Sequence, residues 1–428
     1  MKINSITGIN NKSILLIFMS IITQLLPFLL SPLFSRIYSP IQFGEYSILL
    51  SYSGIFLIFF TGKYELALLL PKHEIDIKNI FRLCFFIATI NFLLTNLIVI
   101  IYFLFSHIFN IHFENIYFLV PILSILISIY QLMSYLILYL GYFKELSFSR
   151  FLKSTITVLI SILLGIYIKG INGLLFGAFI GQIISLIYFV LLVSKTRRFR
   201  KIFIYKKIKT YKYLFLKYIN FPKFSMPADI INALVTQAPI FFITAFFSKT
   251  KLGYYGFVLT VIQVPLSIVS SAVLDVFKEM ATREFKENNN CKKSFIKMFK
   301  ILFILFIIPF IVVLFFGPRI FSFLFGSQWI ESGLYARILI TMLTIKFIAS
   351  PLSYTFTLMG KQKLDFKLHV IMLLLLISIF ILTFFIKLSI YQFLIIITSI
   401  FSIIYLFYFL KSYQFAKNKN QILNKINL

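Results

Sequence analysis

Long apolar runs, separated by short charged or turn-rich segments, dominate the pattern along this chain. A helix of about 20 apolar residues, at 1.5 Å per residue, matches the hydrocarbon thickness of a bilayer. The pattern therefore predicts an all-α polytopic membrane protein with about twelve transmembrane helices. These spans are Ile14–Tyr38, Tyr46–Leu70, Phe81–Phe105, Ile116–Leu140, Leu152–Ile168, Leu174–Val193, Ala228–Phe247, Tyr254–Phe277, Met298–Phe316, Gly333–Met359, Leu368–Ile386 and Tyr391–Leu410.

The distribution of Lys and Arg predicts the direction of these spans. Basic residues concentrate in the cytoplasmic loops of membrane proteins, and 33 of the 42 Lys and Arg lie in the two tails and every second loop, when those at the span edges are included. The other loops hold only six. Both termini are therefore expected to be cytoplasmic. The first run has no small-residue cleavage site, so we expect it to stay as an anchor.

Composition agrees with a membrane protein. Hydrophobic residues make up 60% of the 428 positions and charged residues only 13%, against about 25% charged in soluble domains. A soluble globular enzyme and a disordered chain are both excluded. A net charge of +29 would suggest nucleic acid for a soluble protein, but here we expect the charge beside lipid headgroups and no nucleic-acid partner.

The largest inward loop, Ser194–Phe224, has eleven basic residues and no acidic one. Such a loop is expected to attract anionic membrane lipids. A specific docking surface for a partner is the alternative.

Cysteine and histidine give no sign of a metal or a redox centre. Cys84 and Cys291 are too few for a disulfide framework, and the four histidines are scattered among different loops. We therefore expect no metal site and no cofactor.

An internal repeat divides the chain into halves. The segment Ser39–Tyr46 (SPIQFGEY) resembles Ser248–Tyr255 (SKTKLGYY), and each leads into the second span of its half. A second match pairs Ser134, Tyr135 and Gly141 with Ser353, Tyr354 and Gly360. Because each half has an even number of spans, the repeats would be parallel, as in transporters with two lobes around a central cavity. The predicted organisation is a six-helix lobe at 1–194, a basic cytoplasmic linker at 195–224 and a six-helix lobe at 225–428.

Charges inside spans are costly and are functional candidates by default. Lys346 is the deepest, about twelve residues from either end of its run, which is roughly 18 Å along a helix. We expect it to face water or an anion. Lys63 and Glu65 are about 200° apart on a regular helix, so one should face the cavity and the other a neighbouring helix. Arg36 is either a cavity cation or an interfacial anchor.

Several other polar residues could line the cavity or couple transport to an ion. Asp229 and Asp275 lie near cytoplasmic ends, where an interfacial position is the alternative. The uncharged candidates are Gln24, Asn232, Gln237 and Gln263. For these residues, helix–helix hydrogen bonds are the alternative.

Gly173, Gly177 and Gly181 are expected to allow close helix packing.

No phosphate-binding loop, H-E-x-x-H, G-x-S-x-G or paired-carboxylate pattern occurs in the sequence. We therefore expect a protein that is not an enzyme. Candidate cations in the cavity, without a built-in ATPase, favour an anionic cargo moved by gradients or by the membrane potential.

The stretch Pro32–Tyr46 (PLFSRIYSPIQFGEY), followed by Lys63–Ala67 (KYELA), resembles the polysaccharide (Wzx-type, O-antigen) flippase family of the multidrug/oligosaccharidyl-lipid/polysaccharide exporter superfamily. The segment Leu252–Tyr255, Pro265 and the pair Val276-Phe277 also resemble this family. With the twelve-span plan, the resemblance covers nearly the whole chain.

The resemblance implies a flippase that translocates undecaprenyl-diphosphate-linked oligosaccharide, an O-antigen or capsule repeat unit, from the inner to the outer leaflet. It implies the bacterial cytoplasmic (inner) membrane as the location, and Arg36 and Lys63 as candidate cavity cations beside Lys346. Polysaccharide polymerase and chain-length proteins are further partner candidates. The alternatives are a multidrug or cation antiporter of the same superfamily, which should favour acidic cavity residues, and a membrane polysaccharide polymerase.

Overall fold

The computed structural model describes residues 22–71, 73–109, 113–168, 172–196 and 208–417. Within these ranges the regular structure is entirely helical, and eleven helical segments are long and apolar enough to cross a membrane. The predicted fold class is confirmed. The first predicted span begins outside the described residues, and its described part is helical at 22–29 and at Ser31–Ile37.

Fifteen α-helices in the described residues carry the labels used below. They are α1 Ser31–Ile37, α2 Pro40–Phe60, α3 Glu74–Ile108, α4 Leu119–Tyr139, α5 Phe143–Tyr167, α6 Gly173–Lys195, α7 Ile208–Lys217, α8 Met226–Phe246, α9 Lys249–Val258, α10 Val264–Asn288, α11 Lys292–Phe325, α12 Ile330–Leu352, α13 Tyr354–Leu358, α14 Gln362–Ile386 and α15 Ile390–Lys417. Three 3₁₀ turns and two π-helical turns join some of them: Tyr64–Leu69, Asn115–Phe118, Ser327–Trp329, Phe221–Ser225 and Leu259–Gln263.

The second span ends earlier than the sequence predicts. The α2 helix stops at Phe60, and Gly62 and Lys63 both adopt left-handed backbone angles, with φ of 58° and 63°. A 3₁₀ helix then runs over Tyr64–Leu69. The expectation that Lys63 and Glu65 lie on one regular helix is therefore wrong, because a left-handed turn and a 3₁₀ helix replace it beyond Phe60. Which of the two faces a cavity stays a prediction.

The fifth span begins earlier than the sequence predicts. Its helix, α5, starts at Phe143 rather than at Leu152. The first turns of α5 contain charged residues, so hydropathy alone predicts a loop there. Two of them, Arg150 and Lys153, share one face of the helix with Ser154 and Thr157, and this face lines a cavity.

The described residues form two compact units, in line with a two-lobe layout. The first comprises residues 22–27 and Glu45–Gln237, and the second comprises Phe28–Gly44 and the described residues from Ala238 onward. The lobe boundaries predicted at 194 and 225 stay a prediction.

The core of the first unit surrounds the 3₁₀ segment after α2. Tyr64, Phe81, Met133 and Phe189 are all buried there, on four different elements. Leu214 of α7 joins the same core, and the Tyr64 hydroxyl donates to the Phe215 carbonyl oxygen at 3.0 Å. The end of the basic linker is thereby attached to this unit, whereas residues 197–207 of that linker lie outside the described residues.

The small residues of α6 pack directly against α5. A Cβ on Gly177 would overlap the Ser161 side chain, and one on Gly181 would overlap the Thr157 side chain. Without glycine at these positions the two helix backbones could not approach so closely. The predicted packing role of this glycine face is confirmed for Gly177 and Gly181.

The two copies of the sequence repeat have the same local structure. Ser39 and Ser248 each precede a helix, and each hydroxyl accepts a hydrogen bond from the backbone N–H three residues later. Gly44 and Gly253 occupy equivalent positions, and they meet inside the second unit. A Cβ on Gly253 would overlap the carbonyl of Pro40. The repeat is therefore a pair of matching helix starts in close backbone contact.

Aromatic side chains fill the space beside this contact. Phe257 stacks on Trp329 with ring centroids 4.0 Å apart, and Phe43 meets both rings edge-on at 5.2 Å. The Ser35 carbonyl oxygen accepts hydrogen bonds from Trp329 Nε1 at 2.9 Å and Gln328 Nε2 at 2.6 Å. The indole N–H is thus satisfied although Trp329 is fully buried.

Candidate functional site

A cavity of about 240 Å³ surrounds Lys346 in the second unit. It lies between α12, which carries Lys346, and one face of α10 with the π-helical turn before it. The lining positions from Gln263 to Leu274 recur every three or four residues, which is the spacing of one helix face. The polar lining residues are Lys346, Gln263, Ser267, Ser270, Ser271 and Ser350.

Lys346 provides the one charge among the residues that line this cavity. It forms no ion pair with any residue in the described part of the chain. Its Nζ lies 6.0 Å from the centroid of the Tyr405 ring, at the outer limit of a cation–π contact. An uncompensated lysine at this depth costs about 2.5–3.5 kcal/mol on insertion scales, and a bound anion would offset that cost.

Two of the four serine hydroxyls that line the cavity already donate to the helix backbone. Ser267 donates to the Val264 carbonyl oxygen at 2.7 Å, and Ser271 donates to that of Ile268 at 2.8 Å. These protons are already used by the helix backbone, so an incoming anion would have to compete for them. Lys346 is therefore the charged donor among the residues that line the cavity, beside the neutral groups of Gln263, Ser270 and Ser350.

An apolar groove of about 600 Å³ adjoins the Lys346 cavity. Leu266 and Phe347 line both spaces, so the two are adjacent. Ser31 is the one polar residue among those that line the groove, and the others are aliphatic, aromatic or proline. An apolar groove and a cavity that contains a cation thus lie side by side within one unit.

Three of the predicted residues come together in the first unit. Lys63 Nζ lies 2.8 Å from Asp229 Oδ2, and the Lys63 side chain is only 14% exposed. Glu65 is buried, accepts a hydrogen bond from the Thr61 hydroxyl and has Gln131 Nε2 at 3.5 Å. The carboxylate of Asp229 already neutralises Lys63, so an anionic ligand would have to displace it. A substrate-binding role for Lys63 stays a prediction.

The other predicted residues are dispersed. Arg36 is exposed in the last turn of α1, and Asp275 is 70% exposed and pairs with Lys278 at 3.5 Å. Asn232 is exposed on α8, and Gln237 lies on the same helix beside Gly54. Gln24 lines a different cavity, in the first unit. Their roles as cavity or coupling residues stay predictions.

That second cavity contains two cations that are not among the predicted site residues, Arg150 just before the fifth predicted span and Lys153 at its cytoplasmic edge. Arg150 and Lys153 line a space of about 440 Å³ together with Gln24 and Tyr130. Because α5 starts at Phe143, Lys153 lies ten residues inside the helix, or about 15 Å along it. The polar residues at 150, 153, 154, 157 and 161 follow helical spacing, and this pattern could have revealed the amphipathic start of the helix.

No cluster of metal-ligating side chains occurs in the described ranges. Both cysteines are buried and free. Burial, followed by the nearby charge of Glu284, raises the pKa of the Cys291 thiol to about 12. At neutral pH this thiol is protonated and a poor nucleophile.

The fold is shared with transporters of known structure. A lipid II flippase, MurJ, in an inward closed conformation superposes with a TM-score of 0.68 at 15% identity, covering 94% of this chain and 88% of that chain. An inward-facing multidrug resistance MATE family transporter of the MOP superfamily gives 0.63 at 11% identity, covering 92% and 94%. A MOP superfamily transporter from Pyrococcus furiosus, whose binding pocket is said to have reverse polarity, gives 0.51 at 13% identity, covering 94% and 93%.

These likenesses show the fold, and sequence comparison shows the family. No curated protein sequence matches the chain closely enough to support an assignment. A family model does match, over residues 33–334, and it is described as polysaccharide biosynthesis protein. This match covers well over half of the 428 residues. The chain therefore belongs to the polysaccharide biosynthesis protein family and has the fold of the MOP superfamily transporters.

Proposed function

We propose that the protein is a flippase that moves a lipid-linked oligosaccharide, carried on an isoprenyl diphosphate such as undecaprenyl diphosphate, from the inner to the outer leaflet of a bacterial cytoplasmic membrane. Its cargo would be a repeat unit of an O-antigen, capsule or exopolysaccharide. The family description supports a role in polysaccharide biosynthesis, and one structural neighbour is itself a lipid II flippase.

The observation that carries this proposal is the Lys346 cavity beside the apolar groove. A diphosphate headgroup needs a cation in a place where water is scarce, and Lys346 offers one with no carboxylate partner in the described residues. An isoprenyl chain needs an apolar surface, and the groove offers one that shares Leu266 and Phe347 with the cavity. An amphiphilic anion matches this combination better than a soluble drug or a metal cation does.

The membrane potential can drive the proposed movement. Transferring one elementary charge across 100 mV changes the free energy by about 2.3 kcal/mol. Outward movement of a diphosphate with about two negative charges across an interior-negative membrane is therefore favoured by roughly 5 kcal/mol. A coupled counter-ion would add to this driving force.

A multidrug or cation antiporter is the main alternative, and it should favour acidic residues in its cavity. The residues that line the Lys346 cavity include no Asp or Glu.

A polysaccharide polymerase is the enzyme alternative. The structural neighbours are transporters and a flippase, which agrees with a protein that is not an enzyme. Polymerase and chain-length proteins would act on the cargo after its translocation, and anionic lipids would contact the basic loops.

Reconstitution tests this proposal. Purified protein in liposomes should carry lipid-linked oligosaccharide between leaflets while leaving the mass of the glycan unchanged. A glycan that is lengthened or cleaved by this protein alone would show that the enzyme alternative is right. In cells, deletion of the gene should abolish surface polysaccharide and cause lipid-linked repeat units to accumulate. Normal surface polysaccharide in the deletion strain would contradict the proposal.

A further inference from the structure

The second cationic cavity, on α5 in the first unit, plays no part in the proposed function. It has a volume of about 440 Å³, within the range of about 300–1,000 Å³ typical of small-ligand pockets. Its lining combines two cations with hydroxyl and amide groups and includes no Asp or Glu. The polar residues that line it include Arg150, Lys153, Ser154, Thr157, Tyr130 and Gln24.

The surroundings of Lys153 leave its positive charge uncompensated by any carboxylate. All thirteen Asp and Glu of the chain lie within the described residues, and Lys153 forms an ion pair with none of them. Its Nζ lies 4.9 Å from the centroid of the Tyr130 ring. A cation–π contact of this kind stabilises an ammonium by about 0.5–2 kcal/mol, which is less than the cost of placing a lysine in a membrane.

Arg150 adds a second positive charge at the same cavity. Residues three apart on a helix are neighbours, and like charges at this spacing destabilise a helix by a few tenths of a kcal/mol. A guanidinium can bind two oxygens of a phosphate at once, whereas an ammonium acts as a compact point charge. Together they form a suitable pair for a group that carries several anionic oxygens.

Neutral groups complete the lining. Ser154 donates to the Thr23 carbonyl oxygen at 2.8 Å, which fixes α5 against the helical segment at 22–29. Thr157 lies one turn deeper and contacts α6 at Gly181. These packing contacts hold the cationic face of α5 in place, so the two charges are positioned before any ligand arrives.

We propose that Arg150 and Lys153 form a second anion-binding subsite, which takes a phosphate or diphosphate group. The subsite rests on the proposed function in one respect, because the isoprenyl diphosphate of the cargo would be its natural source of phosphate. Free pyrophosphate presents the same chemistry.

Binding to the purified full-length protein in detergent tests the subsite. The two probes are a short-chain isoprenyl diphosphate and inorganic pyrophosphate, each measured by isothermal titration calorimetry. Lys153→Met should weaken binding by roughly tenfold to a hundredfold, the range for losing one charge-assisted hydrogen bond. Lys153→Arg should retain most of the affinity, because the charge persists. Lys144→Met is the matched control, since Lys144 is exposed on the same helix.

The two probes distinguish the sources of phosphate. A loss for both probes identifies a phosphate subsite, and a loss for the isoprenyl diphosphate alone identifies a lipid headgroup subsite. If Lys153→Met is poorly folded, Lys153→Gln takes its place, with thermal melting as the check. Unchanged affinity for both probes in a well-folded variant would overturn the subsite.

Failure of the subsite and failure of the proposed function give different results. If the wild type flips lipid-linked oligosaccharide but Lys153→Met binds both probes normally, the subsite is wrong and the flippase proposal stands. If the wild type moves no cargo in liposomes but loses pyrophosphate binding on Lys153→Met substitution, the subsite stands and the flippase proposal is wrong.

Discussion

At the scale of single residues, the partner of a charge decides what the charge can do. Lys63 and Lys346 are both lysines within predicted spans, but Lys63 has Asp229 at 2.8 Å and Lys346 has no carboxylate partner within the described ranges. Removing Lys63 leaves the Asp229 carboxylate without its partner, whereas removing Lys346 leaves no unpaired carboxylate. Substitutions of Lys346 therefore report on ligand binding more cleanly than substitutions of Lys63.

Glu284 illustrates a charge with a structural role. Its buried carboxylate accepts hydrogen bonds from the backbone N–H groups of Lys293 at 3.0 Å and Ser294 at 2.7 Å, at the start of α11. Glu284→Gln keeps the shape but replaces one acceptor oxygen with an NH₂ group that faces a donor. We predict a loss of roughly 1–3 kcal/mol in stability, measured as a lower melting temperature in detergent.

The control for this substitution lies one helical turn away. Glu287 is 61% exposed, and its contact is an ion pair with Arg283 at 3.3 Å. Exposed pairs contribute about 0–1 kcal/mol, so Glu287→Gln should melt close to the wild type. Equal melting temperatures for both variants would show that Glu284 does not cap α11.

At the scale of helices, the sequence predicts where helices lie better than where they end. The glycine face of α6 and the Ser–Gly repeat could be recognised from spacing alone, since small residues and helix caps act locally. The left-handed turn at Gly62 and Lys63 could not, because tertiary packing around Tyr64 and the Lys63–Asp229 pair stabilises it. The early start of α5 differs, because the helical spacing of its polar residues is visible in the sequence, whereas hydropathy alone predicts a loop there.

The close contact between the repeats gives a prediction at the same scale. In Gly253→Ala the new methyl group would overlap the Pro40 carbonyl, so α9 and α2 would have to separate. Overpacking of this kind costs about 1–3 kcal/mol, and we expect a lower melting temperature and less folded protein. Gly54→Ala is the control, because its nearest contact, the Gln237 amide nitrogen at 3.9 Å, is an ordinary one. A Gly253→Ala protein as stable as Gly54→Ala would contradict the backbone contact.

At the scale of the whole molecule, hydropathy alone was enough to predict the class of fold. Apolar length is the main requirement for crossing a membrane, and eleven of the twelve predicted spans correspond to candidate spans in the described residues. Which polar residues share a cavity could not be predicted. Lys346 with Gln263, and Lys63 with Asp229, come together from distant parts of the sequence, and periodicity within one helix contains no information about such pairs.

The direction of the chain in the membrane is a further prediction at this scale. Because basic residues concentrate in alternate loops, a reporter fused after Lys209 should be cytoplasmic. One fused within Phe105–Glu114 should lie on the outer side. Enzymatic reporters that are active on one side of the membrane make this measurement. Activity of both fusions on the same side would contradict the predicted topology.

The central claim is tested most directly by substituting Lys346. The measurement is the rate at which each variant flips lipid-linked oligosaccharide in liposomes, together with the abundance of the variant protein. Lys346→Met keeps the length and apolar packing and should insert at least as well as the wild type, yet lose transport. Lys346→Arg should retain part of it, and Lys300→Met, at an exposed position on α11, should transport normally. A Lys346→Met protein of normal abundance that flips the cargo at the wild-type rate would contradict the claim that this cavity binds an anionic, lipid-linked cargo.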